Sequence, residues 1–330
     1  MIAQIDSKYF SLSIKKTFTR LLSYVFYEGR PLTTKGRFIN SLIFLLFKIQ
    51  SNLPYYPKIV SPVFIVGTGR SGSTILGITL GMHSEVGFLN EPKAFWSYLY
   101  NKEDLIGSYQ KVPGDYRLTS TDVTLTMVNK AHRILGCYLL LGCSSRVVDK
   151  YPELIFRADF VSKIFPDAKF LFLYRNGRDT CHSIQNWSKR LTVKEQGETH
   201  DWWGRNDQKW RLLCDQVISK DREIGTRVEL IRKYSNHEHR AAVEWIVSMK
   251  EGMGLLERKP ECVMGVKYED YVSKLDTRQK VLGFCELAHD GNYDKYCETV
   301  LKKENHKTDM NLPPEIQEEF NRVMNLLGYE

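Results

Sequence analysis

A strand, a glycine-rich turn and a helix in direct succession constrain the fold of this chain more than any other feature. Residues 62–66 (PVFIV) form an apolar run rich in β-branched side chains, as expected for a strand that is covered on both faces. The turn at residues 67–74 (GTGRSGST) comes next, and residues 75–82 continue as an apolar helix. This succession is typical of α/β proteins that bind an anion at the start of the helix.

Further apolar runs predict three more strands, separated by helical segments. The runs lie at residues 146–149 (RVVD), 169–174 (KFLFLY) and 262–266 (CVMGV). A helix is expected near residues 154–165, and residues 207–258 are expected to be mostly helical. We therefore predict an α/β fold, with three α/β/α layers, a central parallel sheet and a P-loop-like phosphate-binding turn.

The first 58 residues differ from the rest, and we predict an N-terminal helical extension (1–58) followed by one α/β domain (59–330). Basic residues alternate there with aromatic and aliphatic ones, and the apolar residues between 21 and 26 have helical spacing. One interpretation is a helix that packs on the domain, and the other is a basic amphipathic helix in peripheral contact with an anionic membrane. The longest apolar stretch, residues 39–49, is too short to span a bilayer, so a soluble, cytoplasmic protein is expected.

Composition narrows the classes of partner. The 330 residues carry a net charge of +8, which favours anionic partners, but no cluster of Lys and Arg indicates nucleic acid. The seven cysteines are an odd number without a CxxC pair, so neither a disulfide framework nor a zinc site is expected. We accordingly expect no metal site.

The glycine-rich turn is predicted to bind phosphate or sulfate. Backbone N–H groups in such a turn point inward, and the positive end of the helix dipole adds to their attraction for an anion. Arg70 would add a planar, fixed positive charge. The other candidate binding residues supply conformational freedom or hydroxyl donors: Gly69, Ser71, Gly72, Ser73 and Thr74.

The turn differs from the P-loop of nucleoside triphosphatases in one respect. Gly67 and Gly72 have the spacing of that motif, but Ser73 occupies the position of its lysine. That lysine normally contacts the β- and γ-phosphates, so its replacement argues against a triphosphate donor. The remaining alternative is a glycine-rich turn that binds no ligand.

A second candidate anion site follows the strand at residues 169–174. Arg175 stands at the carboxyl end of this strand, where open parallel sheets bind ligands. Ser183 follows eight residues later, about two helical turns into the next predicted helix. The two side chains could hold a phosphate monoester. Alternatively, Arg175, Arg178 and Asp179 form a surface ion-pair cluster.

Together the two segments resemble the sulfotransferases that use 3′-phosphoadenosine-5′-phosphosulfate (PAPS). The resemblance covers residues 61–185 and a segment near 262–271, and it is closest in motif style to the tyrosylprotein and carbohydrate branches. It implies that residues 69–74 bind the 5′-phosphosulfate, with Arg70 also in the catalytic set. It implies that Arg175 and Ser183 bind the 3′-phosphate.

The resemblance also implies two further catalytic residues. Glu91, 21 residues after Arg70, matches the family's general base, and Lys150 matches a lysine that stabilises charge on the transferred group. The implied reaction moves a sulfuryl group from PAPS to a hydroxyl of a carbohydrate, lipid, small molecule or tyrosine, with no metal. The competing interpretations are a turn cap for Glu91, before Pro92, and a solvated surface position for Lys150.

Two other functions are considered. An ATP-dependent kinase would need the missing P-loop lysine, and a non-catalytic nucleotide- or membrane-binding relative would not need Glu91 or Lys150. Two tryptophan pairs add expectations. Trp202 and Trp203 form either a lid over the acceptor or a structural loop, and Trp187 and Trp245 are predicted core residues.

Overall fold

The computed structural model describes residues 2–54, 58–110, 112–302 and 309–329. The strands are β1 (Val63–Gly67), β2 (Val86–Asn90), β3 (Arg146–Lys150), β4 (Lys169–Tyr174), β5 (Val193–Glu195), β6 (Glu198–Asp201), β7 (Gly204–Arg205) and β8 (Val263–Lys267).

Fifteen α-helices accompany these strands in the described part of the chain. They are α1 (Ser7–Leu12), α2 (Ile14–Phe26), α3 (Ile39–Gln50), α4 (Ser73–Met82), α5 (Lys93–Leu99), α6 (Leu125–Leu141), α7 (Ala158–Ile164), α8 (Gly177–Leu191), α9 (Gln208–Gln216), α10 (Val228–Ile231), α11 (His237–Arg258), α12 (Tyr268–Ser273), α13 (Leu275–Phe284), α14 (Gly291–Val300) and α15 (Pro314–Leu326). Short 3₁₀ turns lie at Ser120–Asp122, Pro152–Arg157, Ile218–Lys220 and Gly225–Arg227.

Five strands form one parallel sheet in the order β2-β3-β1-β4-β8, and β5, β6 and β7 form a small antiparallel sheet. The predicted α/β class with a central parallel sheet is confirmed, and so are its strands β1, β3, β4 and β8. Strand β2 and the small sheet were not predicted. The helix expected near residues 154–165 is a 3₁₀ turn that continues into the seven-residue α7.

Helices cover both faces of the parallel sheet because alternate strand residues point to opposite sides. On one face, Phe64 and Phe172 belong to a core that includes Trp96 of α5 and Trp245 of α11. On the other face, Ile65 and Leu171 belong to a second core with side chains from α4 and α14. A sheet buried on both faces explains why its central strands are apolar throughout.

The N-terminal helices pack directly on this framework. Helix α2 lies against the edge strand β2, and α3 contacts α5 and α6. Tyr27, which follows α2, has its ring centroid 5.9 Å from that of Phe47 in α3 and 4.9 Å from that of Tyr138 in α6. The division into an extension and a domain stays a prediction. Within the described ranges, no helix has the length and apolar character required to cross a bilayer.

Candidate active site

The loop between β1 and α4 has the backbone of an anion cradle. Its φ angles are positive at Gly67 (140°), Arg70 (66°) and Gly72 (93°). The Ser71 hydroxyl donates to the Thr68 carbonyl oxygen at 2.6 Å, which closes the turn. Helix α4 then begins at Ser73 without a side-chain cap, so its first N–H groups are directed at the loop. This arrangement can bind an anion through backbone donors and the helix dipole.

At two positions of the loop, neighbouring aromatic rings leave no room for any residue other than glycine. A Cβ on Gly69 would lie 2.5 Å from Cη2 of Trp202, and a Cβ on Gly72 would overlap the ring of Tyr268. Both contacts are shorter than side-chain carbon atoms tolerate. The loop is therefore held between Trp202 on one side and Tyr268 on the other.

Arg70 connects the loop to helix α8. Its Nε donates to Oγ of Ser183 at 3.2 Å. Helix α8 begins at Gly177, and the Asn176 side chain caps it by accepting from the Arg178 amide at 2.9 Å. Ser183 thus lies about two turns into the helix, and the structure brings it to the first candidate site.

Arg175 follows β4, the neighbour in the sheet of β1, which leads into the loop. Its Nη2 lies 3.4 Å from Oδ2 of Asp179, and its guanidinium lies 4.6 Å from the ring centre of Tyr268. Its Nε is buried, and no hydrogen-bond acceptor for it is found in the described part of the chain. The contact with Asp179 is part of the ion-pair cluster considered as an alternative. The buried, unpartnered N–H fits an additional anionic ligand.

Glu91 and Lys150 meet at the ends of the neighbouring strands β2 and β3. Parallel pairing sets Asn90 opposite Lys150, and the Glu91 amide donates to the Lys150 carbonyl oxygen at 2.7 Å. Lys150 Nζ lies 2.5 Å from Glu91 Oε1, and the Lys150 side chain is only 2% exposed. The interpretation of Lys150 as a solvated surface lysine is therefore wrong.

A second lysine, Lys93, completes the surroundings of Glu91. Its Nζ lies 3.2 Å from Glu91 Oε2. Burial alone would raise the pKa of Glu91, but the positive charges of Lys150 and Lys93 outweigh it and hold the pKa well below its usual range. Glu91 also has a positive φ of 52°, a conformation that few non-glycine residues adopt.

A cavity of about 300 Å³ opens between the loop and this ion pair. Of the predicted site residues, it is lined by Gly69, Arg70, Ser73, Thr74, Glu91 and Lys150. Ser71 and Gly72 belong to the loop behind the lining, and Arg175 stands outside it next to Tyr268. The structure therefore brings the glycine-rich loop, an acid and a lysine to one cavity.

A buried ionic network supports another part of the cavity wall, next to Trp202. Lys209, 2% exposed, lies 2.9 Å from Glu153 Oε1 and 2.6 Å from Glu244 Oε1. Burial would lower the pKa of Lys209, but these carboxylates raise it well above its usual value. Glu244 also accepts from Nε1 of Trp202 at 2.7 Å, which fixes the indole that covers Gly69.

The tryptophans divide between core and cavity. Trp203 and Trp245 are fully buried, as a structural role requires. Trp187 packs edge-on against Trp202, with ring centroids 5.3 Å apart, and both line the cavity. The prediction that Trp187 belongs to the core is therefore wrong. The indole pair is an apolar part of the cavity that Glu91 and Lys150 also line.

Several cavity residues were missed by sequence reasoning. Lys93 and Lys209 are isolated lysines in the sequence, and their pairing with glutamates depends on the fold. Residues 28–31 and 33–34, in the loop between α2 and α3, line the cavity as well. The only local signal was the position of Lys93 two residues after Glu91. Among the described residues, no group of His, Cys, Asp or Glu side chains could hold a metal ion.

Comparison with known proteins gives a family match over most of this framework. Residues 62–291 match the model of the family described as Sulfotransferase family. The protein-tyrosine sulfotransferase of Drosophila melanogaster is 27% identical over 173 residues, which are 52% of this chain and 33% of that protein. Protein-tyrosine sulfotransferase A of Caenorhabditis elegans is 29% identical over 169 residues, which are 50% of this chain and 42% of that protein.

The match thus covers less than half of the length of each of these curated relatives. Among solved structures, the sulfotransferase domain from the curacin biosynthetic pathway superposes with a TM-score of 0.49 at 15% identity. That superposition covers 83% of this chain and 99% of the domain.

Proposed function

The chain belongs to the sulfotransferase family, and on that premise we propose that it transfers a sulfuryl group from PAPS to a hydroxyl acceptor. The observation that carries the proposal is the meeting of the β1–α4 loop with the Glu91–Lys150 pair in one cavity. An anion cradle after β1 and a carboxylate after β2, two strands away in the same sheet, can hold a donor and deprotonate an acceptor.

The donor fits two features of the chain. The loop supplies backbone N–H groups and Arg70 for a 5′-phosphosulfate. Arg175, with its buried and unpartnered Nε, would bind the 3′-phosphate that distinguishes PAPS from ordinary adenylates. Ser183, now a hydrogen-bond partner of Arg70, would orient that arginine or bind phosphate itself.

Transfer requires an in-line displacement with stabilised charge on the oxygens. The acceptor oxygen forms a bond to sulfur while the bond from sulfur to the bridging phosphate oxygen breaks. Glu91 takes the proton from the acceptor hydroxyl. Lys150 and Arg70 stabilise the negative charge that develops on the transferred group and the leaving oxygen. The products are a sulfate ester and 3′,5′-adenosine bisphosphate.

Lys150 also affects how strong a base Glu91 is, because it lowers the pKa of Glu91. While both lysines contact Glu91, the carboxylate is a weak base. A donor anion that draws Lys150 away from Glu91 would raise the pKa of Glu91 and strengthen it as a base. Glu91 would thus become an effective base only with a donor in place.

For the acceptor we propose only its chemical class, a hydroxyl group of a carbohydrate, lipid, small molecule or tyrosine. Two of the matched relatives are protein-tyrosine sulfotransferases, but the match covers only part of their length. The kinase alternative is not favoured because of the family match and the serine at position 73.

The test is release of 3′,5′-adenosine bisphosphate from PAPS with a panel of phenol, sugar, alcohol and tyrosyl-peptide acceptors. We expect stoichiometric release and acceptor sulfation with at least one class, without added metal. Transfer of phosphate from ATP to the same acceptors, with no reaction of PAPS, would contradict the proposal.

A further inference from the structure

Helices α2 and α3 expose a set of large apolar side chains that their own packing does not use. Ile14 (74% exposed) and Phe18 (59%) are on α2, and Leu45 (54%) and Ile49 (56%) are on α3. We call the full set the apolar face: Ile14, Phe18, Leu21, Phe38, Leu42, Leu45 and Ile49. Several large exposed apolar side chains on two helices that contact each other indicate an interaction surface.

The spacing of these residues shows that each helix has two distinct faces. The α2 members are four and three residues apart, and those from Phe38 onward repeat the same intervals along α3. This spacing defines one side of a helix. The other side of α3 is buried through Ile43 and Phe47, and α2 and α3 contact each other. Each helix therefore packs against the protein with one side and exposes apolar side chains on the other.

The exposed charges that residues 2–54 contribute around the apolar face are all positive. Lys8, Lys15, Lys35, Arg37 and Lys48 are exposed, and Arg37 has an exposed partner, Glu195 at 3.6 Å. The two acidic residues among 2–54 are engaged elsewhere: Glu28 is buried with Arg20, and Asp6 caps α1. The segment therefore combines exposed hydrophobic side chains with exposed positive charge.

We propose that the apolar face docks on an anionic lipid bilayer, with α2 and α3 lying along its surface. Apolar side chains would enter the boundary between headgroups and acyl chains, and the lysines would contact anionic headgroups. A second copy of this chain fits less well, because two such faces would bring positive charges together. The proposal does not depend on the sulfotransferase activity.

The test is co-sedimentation of the full-length protein with vesicles of phosphatidylcholine, with and without phosphatidylserine. We expect binding to the phosphatidylserine vesicles that weakens as salt rises. The double variant Leu42→Asp/Leu45→Asp should bind at least about tenfold less. The matched control, Leu230→Asp/Leu326→Asp, changes two exposed leucines on α10 and α15 and should bind as the unchanged protein does.

A second variant tests the proposal even if Leu42→Asp/Leu45→Asp fails to fold. Lys15→Gln/Lys48→Gln keeps the apolar side chains and should reduce the preference for phosphatidylserine. Binding of 3′,5′-adenosine bisphosphate, measured on every variant, reports the donor site separately from the membrane. Equal sedimentation of the apolar-face variant and its control would overturn the proposal. So would a dimer in light scattering that the apolar-face variant alone abolishes, without vesicle binding.

Discussion

Lys150 and Glu91 are joined twice: Nζ lies 2.5 Å from Oε1, and the Glu91 amide donates to the Lys150 carbonyl oxygen at 2.7 Å. The backbone contact fixes where Glu91 lies relative to the end of β3, and the side-chain contact sets its protonation state. Lys150 is almost fully buried, whereas the Glu91 side chain is 36% exposed, so the carboxylate can reach the cavity while it contacts the lysine. In the proposed reaction, the contacts with Lys150 therefore both position the Glu91 carboxylate and lower its pKa.

Glu91→Gln should slow turnover strongly while leaving the donor site intact. The amide keeps the shape of the side chain but cannot take a proton, so we expect kcat to fall by about 10² or more. Stopped assays of 3′,5′-adenosine bisphosphate release would measure it. The exposed Glu298 on α14 offers a matched control, because Glu298→Gln should leave kcat unchanged. Full activity of Glu91→Gln would remove Glu91 as the base.

Lys150→Met should change the pH dependence as well as the rate. The reaction needs ionised Glu91, so activity is lost as pH falls through the pKa of Glu91. Lys150 and Lys93 hold that pKa below its usual value of about 4.3, and removal of one of them lets it rise. We expect the acidic limb of the kcat/KM profile to move to higher pH in the variant.

The residual activity of Lys150→Met, measured from mildly acidic to neutral pH, checks this direction. A limb that stays in place while the rate falls would show that Lys150 acts on the transferred group alone.

Gly69→Ala should weaken donor binding through a steric contact. The new Cβ would lie 2.5 Å from Cη2 of Trp202, so either the loop or the indole has to move. We expect at least about a tenfold loss of affinity for 3′,5′-adenosine bisphosphate. Gly283→Ala is the control, because a Cβ on Gly283 would meet no atom within 4 Å. Similar affinities of the two variants would show that the loop does not form the donor site.

Glu28→Gln should destabilise the fold. Glu28 is 5% exposed, forms an ion pair with Arg20 (1% exposed) and accepts from the Asn90 amide at 2.8 Å. Loss of its charge leaves the buried guanidinium with neutral hydrogen-bond partners such as Ser23 and Gln4 but without the Glu28 carboxylate, which costs about 3 kcal/mol in the free energy of unfolding. Urea unfolding measures this value. Glu229→Gln, which removes an exposed partner of Arg232, should have no measurable effect.

The sequence predicted the central part of the fold because its strands are buried on both faces. Residues 169–174 are apolar without interruption, which identifies β4 from its composition alone. Strand β2 was missed because Gly87 and Asn90 interrupt its apolar run. The short strands β5 to β7 are polar and pair only with each other, so no hydrophobic pattern reveals them.

The candidate site could be proposed from the sequence where its residues lie within one motif. The loop at residues 67–74 carries its candidate anion-binding groups within eight consecutive residues. Glu91 and Lys150 were expected from the family resemblance, and they lie together because β2 and β3 are neighbours. Lys93, Lys209 and the loop between α2 and α3 could not be predicted. Their place in the cavity depends on packing between segments that are far apart in sequence.

The most direct test of the proposed function is calorimetric titration with 3′,5′-adenosine bisphosphate, 5′-AMP and ATP in the absence of metal. We expect tight binding of the bisphosphate, much weaker binding of 5′-AMP and ATP, and loss of the bisphosphate preference in Arg175→Ala. Arg258→Ala, at an exposed arginine that pairs with Glu251, should bind as the unchanged protein does. ATP binding equal to or tighter than that of the bisphosphate, or an unaltered preference in Arg175→Ala, would contradict the assignment of a PAPS site.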